Sequence, residues 1–202
     1  MRFKLAKLHK YLGLIMILPF IAWAVTGVFF FIKPGYQNAY ESLPIKSYQL
    51  SMLPVINVAE EWQEIRWLRS ILGLHLLIKT NGKWQQLDTN TLQVIKPPSD
   101  EDIKRLIDDA TKKNIERYGK IISIEELNII TNTDITISLN WDQMTLYQKG
   151  TDTDFIDTMY KIHYLQWTGF KSVDRFLGLV GLALVVLLAC VGVYMTLNRR
   201  RL

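Results

Sequence analysis

The sequence predicts an α+β membrane protein in which two transmembrane helices enclose an exported domain of helix plus antiparallel strands, duplicated. Three observations predict it: a long charge-free run near each end, basic residues gathered in the tails, and a charged middle whose apolar residues recur at helical and at strand spacing. Residues 11–32 and 176–198 hold no charge, and cations bound each run: Lys10 and Lys33, then Arg175 and Arg199. At about 1.5 Å per residue either run crosses a hydrocarbon core of about 30 Å, and a helix satisfies its own backbone polar groups there.

The net charge of +5 is not a nucleic-acid signal, because of where it lies. Arg2, Lys4, Lys7 and Lys10 precede the first run and Arg199, Arg200 and Arg201 follow the second, with no acid in either tail. Those seven of the 24 Lys and Arg leave 17 against all 19 acids in the middle, a slightly acidic balance. Basic tails resist translocation and face anionic lipid. Both termini are therefore expected in the cytoplasm and the middle domain in the periplasm of a bacterial inner membrane, with membrane lipid as a partner and no nucleic acid. Ala22, Trp23 and Ala24 have the small-x-small form of a signal cleavage site, but the apolar run continues eight residues beyond it to Ile32, longer than an ordinary signal core. The sole cysteine, Cys190, excludes an intrachain disulfide.

In order, the chain divides into a cytoplasmic basic tail (1–10), a first transmembrane helix (11–32), a linker (33–54), the exported domain (55–152), an amphipathic interfacial segment (153–175), a second transmembrane helix (176–198) and a basic tail (199–202). Pro19 removes one hydrogen bond from the first span, and Pro34 and Gly35 end it. In the domain, Asn57 stands where it can cap a helix whose apolar residues Val58, Trp62, Ile65, Leu68 and Leu72 follow helical spacing. Strands are expected over 74–78 and 84–87, joined at Asn81 and Gly82, with a third near 92–95. Ser99, with Asp102 three residues on, opens a helix burying Ile103, Leu106, Ile107 and Ala110. Strands over 121–130, 134–140 and 144–148 follow. Helix, three strands, helix, three strands suggests two copies of one unit, and Asp88, Thr91 and Leu92 reappear as Asp142, Thr145 and Leu146.

The helix and antiparallel strands with an Asp-x-x-Thr turn resemble a PepSY domain, and their place between two spans resembles the PepSY-associated transmembrane family. Two junctions carry the likeness: Leu8-His9-Lys10-Tyr11-Leu12-Gly13 running into a span that ends Thr26-Gly27, and Ile162-His163-Tyr164 followed by Arg175-Phe176-Leu177-Gly178 and an Arg cluster. Two departures stand beside it. Leu92 and Leu146 occupy the place where relatives often have Gly, and this chain has two spans where larger relatives have four. The resemblance implies a b-type haem protein passing electrons outward, in some relatives to ferric siderophores, with histidines near helix ends as iron ligands. Carried over residue by residue, only His9 and His163 match those positions.

Neutral imidazole suits haem iron, and two such ligands leave no open site, which favours electron transfer. Lys7 and Lys10 beside His9, and Lys171 and Arg175 beyond His163, are the cations placed to meet haem propionates; the plainer account is headgroup anchoring. His75, between Leu74 and Leu76, is expected to be an exposed strand residue. His9 and His163 fall at opposite ends of the membrane, so the expectation is a homodimer with paired His9 and paired His163, or a partnership with a membrane reductase, supporting reduction of a ferric chelate. Gly178, Gly181, Ala189 and Gly192 offer a surface for association with a second copy or with the first span. No nucleophile and base stand together in the sequence, so a self-contained hydrolytic site is not expected, and the resemblance implies instead a part in a membrane haem-dependent reductase. The competing reading is a haem-free, membrane-anchored module whose PepSY-like domain binds a partner or restrains a protease.

Overall fold

The computed structural model describes residues 2–199, so Arg200 and Arg201 of the C-terminal basic tail lie outside the described residues. The chain forms two units, one from the terminal segments up to Tyr36 and from Asp154 onward, the other Gln37–Thr153.

The first unit holds helices α1 (Arg2–Ile32) and α6 (Lys171–Arg199) and most of α5 (Thr151–His163). Lys4–Ile32 and Lys171–Asn198, of 29 and 28 residues, are long and apolar enough to cross a membrane. Leu14, Ile15, Leu18, Leu179, Leu182 and Val186 are exposed along them, as side chains that meet lipid tails would be. Helix α1 runs through Pro19 without a break. The two helices are antiparallel and touch at glycines: a Cβ at Gly192 would sit 3.3 Å from His9 Cε1, and one at Gly181 would sit 2.9 Å from Leu165 Cδ1 and 3.8 Å from the Trp23 ring. The small residues expected to offer an association surface thus serve, at these two positions, packing within the chain.

Helix α5 lies on the C-terminal half of α1 through rings. Phe155 meets Phe29 edge to face at 5.5 Å, and Tyr160 stacks on Phe30 at 4.5 Å. Of its apolar residues Ile156 is buried, 1 % exposed, while Phe155 keeps its outer side open.

The second unit opens with α2 (Tyr36–Ala39) and an irregular stretch, then a three-stranded antiparallel sheet of β1 (Glu64–Ser70), β2 (Gly73–Thr80) and β3 (Lys83–Leu87). Asn81 and Gly82 take φ of 50° and 74°, the two-residue turn that the Asn-Gly pair predicts. After α3 (Asp100–Thr111) and α4 (Ile115–Tyr118) comes a four-stranded antiparallel meander, β4 (Ile121–Glu125), β5 (Asn128–Thr131), β6 (Thr136–Asn140) and β7 (Thr145–Lys149). Strand β2 is buried on both faces. Leu77 joins Ile103, Leu106 and Ile107 of α3 and Ile129, Ile137 and Leu139 of the second sheet, while Leu76 and Ile78 pack with Leu87 beneath Ile56 and Trp62.

Several expectations need correction. No helix covers 57–72. Residues 64–70 form β1, which pairs with β2 in unbroken register from Glu64↔Lys79 to Ser70↔Gly73, and that ladder overrides the helical spacing of the side chains. Residues 92–95 make only an isolated bridge, Leu87↔Val94. The run 121–130 is two strands divided at Glu126, whose φ is 57°. Residues 33–54 do more than link, because Leu43 and Ile45 enter the core. The two halves of the domain therefore do not share one helix-plus-strands order. Nor do the echoed letters make one turn: Asp88 Oδ1 accepts from the Asn90 and Thr91 backbone N–H groups with Leu92 at φ 55°, whereas in the other copy Asn140 Oδ1 accepts from the Gln143 N–H and Met144 takes φ 49°.

Local chemistry secures these elements. Ser99 Oγ accepts from the Asp102 N–H at 3.3 Å, and Asp100, Glu101 and Asp102 place negative charge at the positive end of α3. Arg117 donates to Asp152 at 2.8 Å and to Gln148 at 2.8 Å, tying α4 to the end of the meander. Burial, then the neighbouring Glu41 carboxylate, push the Tyr118 phenol up to about 12, so it remains a donor to Glu41 at neutral pH. Replacing Leu77 by Ala should destabilise the domain by about 2–5 kcal/mol through lost burial and the cavity left, against about 1 kcal/mol for Ser99→Ala. Chemical denaturation of the detergent-solubilised chain measures both.

Candidate functional site

The residues singled out in sequence fall at two ends of the helix pair. At one end α5 closes with His163, the chain turns through residues 164–170, and α6 begins at Lys171. The turn uses left-handed backbone at Leu165 (φ 55°) and Gly169 (φ 78°). Its shape is held by Asp174, 7 % exposed, whose Oδ1 accepts from the Thr168 N–H at 2.9 Å and the Thr168 hydroxyl at 2.7 Å. The result is an open pocket of about 1220 Å³, larger than small-molecule sites usually are. His163, Lys171, Arg175, Trp167 and Trp23 are among its lining residues. The structure thus brings together His163, Lys171 and Arg175, which are spread over thirteen positions in sequence.

His163 is fixed from three sides. Its backbone carbonyl accepts from the Trp23 indole N–H at 2.7 Å, its Nδ1 lies 2.8 Å from Thr26 Oγ1, and Phe30 and Tyr164 stand edge to face against the ring at 5.1 and 5.4 Å. Thr26 is 2 % exposed. With Nδ1 engaged, Nε2 is the ring nitrogen left for a ligand, the arrangement in which metal-binding histidines are ordinarily held by an outer partner. An imidazole and two cations, Lys171 and Arg175, are the groups at this pocket that could hold a haem, the one as iron ligand and the others at the propionates. Sequence reasoning missed Trp23 as a donor, and it missed Asp174 altogether. A lone acid beside an apolar run was the available signal.

His9 lies 17 residues before Thr26 on α1, about 25 Å along the helix axis, so it and His163 cannot meet one group. Its ring rests on Gly192, and its Nδ1 is buried without a hydrogen-bond partner. Lys7 and Lys10 flank it on the helix surface. Among the described residues, no three His, Cys, Asp or Glu side chains gather to hold a metal ion.

His75 is not the exposed strand residue expected. It is 5 % exposed, edge to face with Trp141 at 5.7 Å, because both faces of β2 are covered. Its Nε2 stands 2.7 Å from Ser70 Oγ and its Nδ1 beside Gln86 Oε1, while Gln86 Nε2 donates to the Trp141 carbonyl at 3.0 Å. Because the Gln86 oxygen can only accept, Nδ1 carries the proton and Nε2 accepts from the Ser70 hydroxyl. Serine, imidazole and an orienting third group have the connectivity of a hydrolytic triad, a grouping the sequence reading did not find. Here Ser70 is 4 % exposed and its oxygen already accepts from the Leu72 N–H at 3.0 Å, so no substrate reaches it. The trio is structural.

Burial holds the His75 pKa below its ordinary value, partly offset by the Gln86 hydrogen bond. The unfolded chain, with a histidine pKa near 6.5, then binds a proton before the folded one does. Stability from His75 is fully present above about pH 6.5 and lost as pH falls through the folded value. Chemical denaturation at about pH 7.5 and about pH 5 should show the drop, and His75→Gln should have a lower but flatter profile.

The family model described as the PepSY-associated TM region matches residues 6–202. No curated protein and no solved structure matches the chain.

Proposed function

Because the chain belongs to the PepSY-associated transmembrane family, we propose that it is a haem-binding electron-transfer component of the membrane, with His163 as iron ligand and Lys171 and Arg175 as the propionate partners. The observation that carries this reading is the clamped His163, with Nδ1 held by Thr26 and the residue lining the same pocket as both cations. Haem supplies the redox couple; the chain's own part is to fix the ligand and screen the propionate charge. One chain brings one histidine to this pocket, so a bis-histidine site draws its second His163 from another copy. His9 rests against its own α6, and an inner haem between paired His9 would first require that ring to turn away. The proposal therefore rests on the His163 site.

The resistance of basic tails to translocation supports the reading that both termini are in the cytoplasm and the middle domain in the periplasm of a bacterial inner membrane. Electrons then leave toward that domain, where a ferric chelate is an acceptor of suitable chemistry, and a membrane reductase or quinone partner supplies them. A second reading keeps the spans as anchors for a PepSY interaction module. It is favoured by Met52, Val55 and Val58, which stand exposed together in the irregular stretch before β1.

A reduced-minus-oxidised spectrum of detergent-purified protein made with ample haem tests the first reading. It should show a b-type band with about half a haem per chain, lost in His163→Ala and kept in His9→Ala. Absence of the band from the unaltered protein would leave the interaction module. The topology is checked separately by fusing a reporter that fluoresces only in the cytoplasm to each terminus, both of which should light up.

A further inference from the structure

Thr26 Oγ1 has two close polar neighbours besides its own backbone. It lies 2.6 Å from the Ala22 carbonyl oxygen one turn back and 2.8 Å from His163 Nδ1. A carbonyl oxygen can only accept, and two oxygens 2.6 Å apart with no hydrogen between them would oppose their lone pairs. The single hydroxyl proton of Thr26 therefore points at Ala22. Its oxygen has only lone pairs to offer His163, and the hydrogen in the 2.8 Å contact must belong to the imidazole.

We infer that Thr26 is a positioning residue that holds His163 as the Nδ1–H tautomer and so leaves Nε2 as the unprotonated ring nitrogen, the one able to bind a ligand. The inference rests on the haem reading for its purpose, though not for its chemistry. In water a neutral imidazole favours the other tautomer, whose proton sits on Nε2 and blocks coordination there until the ring exchanges it. Here the preference is reversed before any ligand arrives. The buried setting strengthens the effect, because Thr26 is almost wholly screened from water that could substitute for either bond. Trp23 completes the arrangement by pinning the His163 carbonyl, while Phe30 and Tyr164 restrict ring rotation that would exchange Nδ1 for Cδ2 opposite Thr26.

The test is nitrogen-15 NMR of the full chain in detergent micelles, made without haem and labelled at histidine, held well above the ordinary imidazole pKa of about 6.5. His163→Gln assigns the resonances. The expected spectrum shows His163 with a protonated Nδ1 and an unprotonated Nε2. Thr26→Val, close in shape but without the hydroxyl, should shift the ring toward the Nε2–H form, and Thr26→Ser should restore the original pattern. In haem titration, Thr26→Val should lose about 10–100-fold in affinity and Thr26→Ser almost none. An unaltered protein whose His163 is Nε2–H, or a Thr26→Val protein with an unchanged tautomer, would overturn the inference. A correct tautomer in a protein that takes up no haem would uphold the inference and overturn the haem reading instead.

Discussion

Close approach of α1 and α6 is the condition from which the His163 site follows. Within lipid there is no hydrophobic gain from bringing two apolar helices together, so what holds them is fitted contact, and the hydrogen bonds of this unit, each worth about 0.6–2 kcal/mol, run instead from α1 to His163 at the end of α5. Gly181 lets Leu165 come in where a Cβ would crowd its Cδ1 at 2.9 Å, with the Trp23 ring beside it, and Gly192 leaves room for His9, whose Cε1 a Cβ would approach to 3.3 Å. That fit sets the depth of α1 against the turn after α5. The depth in turn brings the Trp23 indole to the His163 carbonyl and Thr26 to the ring nitrogen.

The middle unit obeys a different rule, since it is built against water. Its core is held by area removed from solvent, and β2 contributes most because its two faces are covered by different partners, Leu77 by α3 and the second sheet, Leu76 and Ile78 by Ile56 and Trp62. Most of the polar groups caught inside are paired, the Thr80 and Thr145 hydroxyls excepted: Gln86, 0 % exposed, joins His75 to the Trp141 carbonyl. Arg117, though mostly covered, faces Asp152. Such pairing removes the desolvation penalty more than it adds stability.

What could be read from the residues was what depends on short range. The spans follow from length and the absence of charge, the α3 start from Ser99 and its acidic first turn, and the β2–β3 turn from Asn81 and Gly82, whose left-handed backbone few other pairs accept. What could not be read depends on partners distant in sequence. Residues 64–70 carry apolar groups at helical spacing, and only the ladder to β2 makes them a strand. His75 looked like a residue of an exposed face because nothing nearby announces that Trp141, 66 positions on, will cover it. In the His163 site the family motif named the histidine and Thr26-Gly27, but the bond between them spans 137 residues and needs the helix pair to exist first.

The Ser70, His75 and Gln86 trio has a consequence for how this domain can change over generations. Each member satisfies a polar atom of another, in a space closed to water. An apolar replacement of all three could be as stable as the trio, but any single replacement strands a buried donor or acceptor at a cost of about 1–3 kcal/mol. The path between the two solutions therefore descends before it rises, through intermediates that spend a large share of a small domain's stability. Once assembled, such a trio is retained by the shape of the route away from it, whether or not the domain still has a use for a histidine.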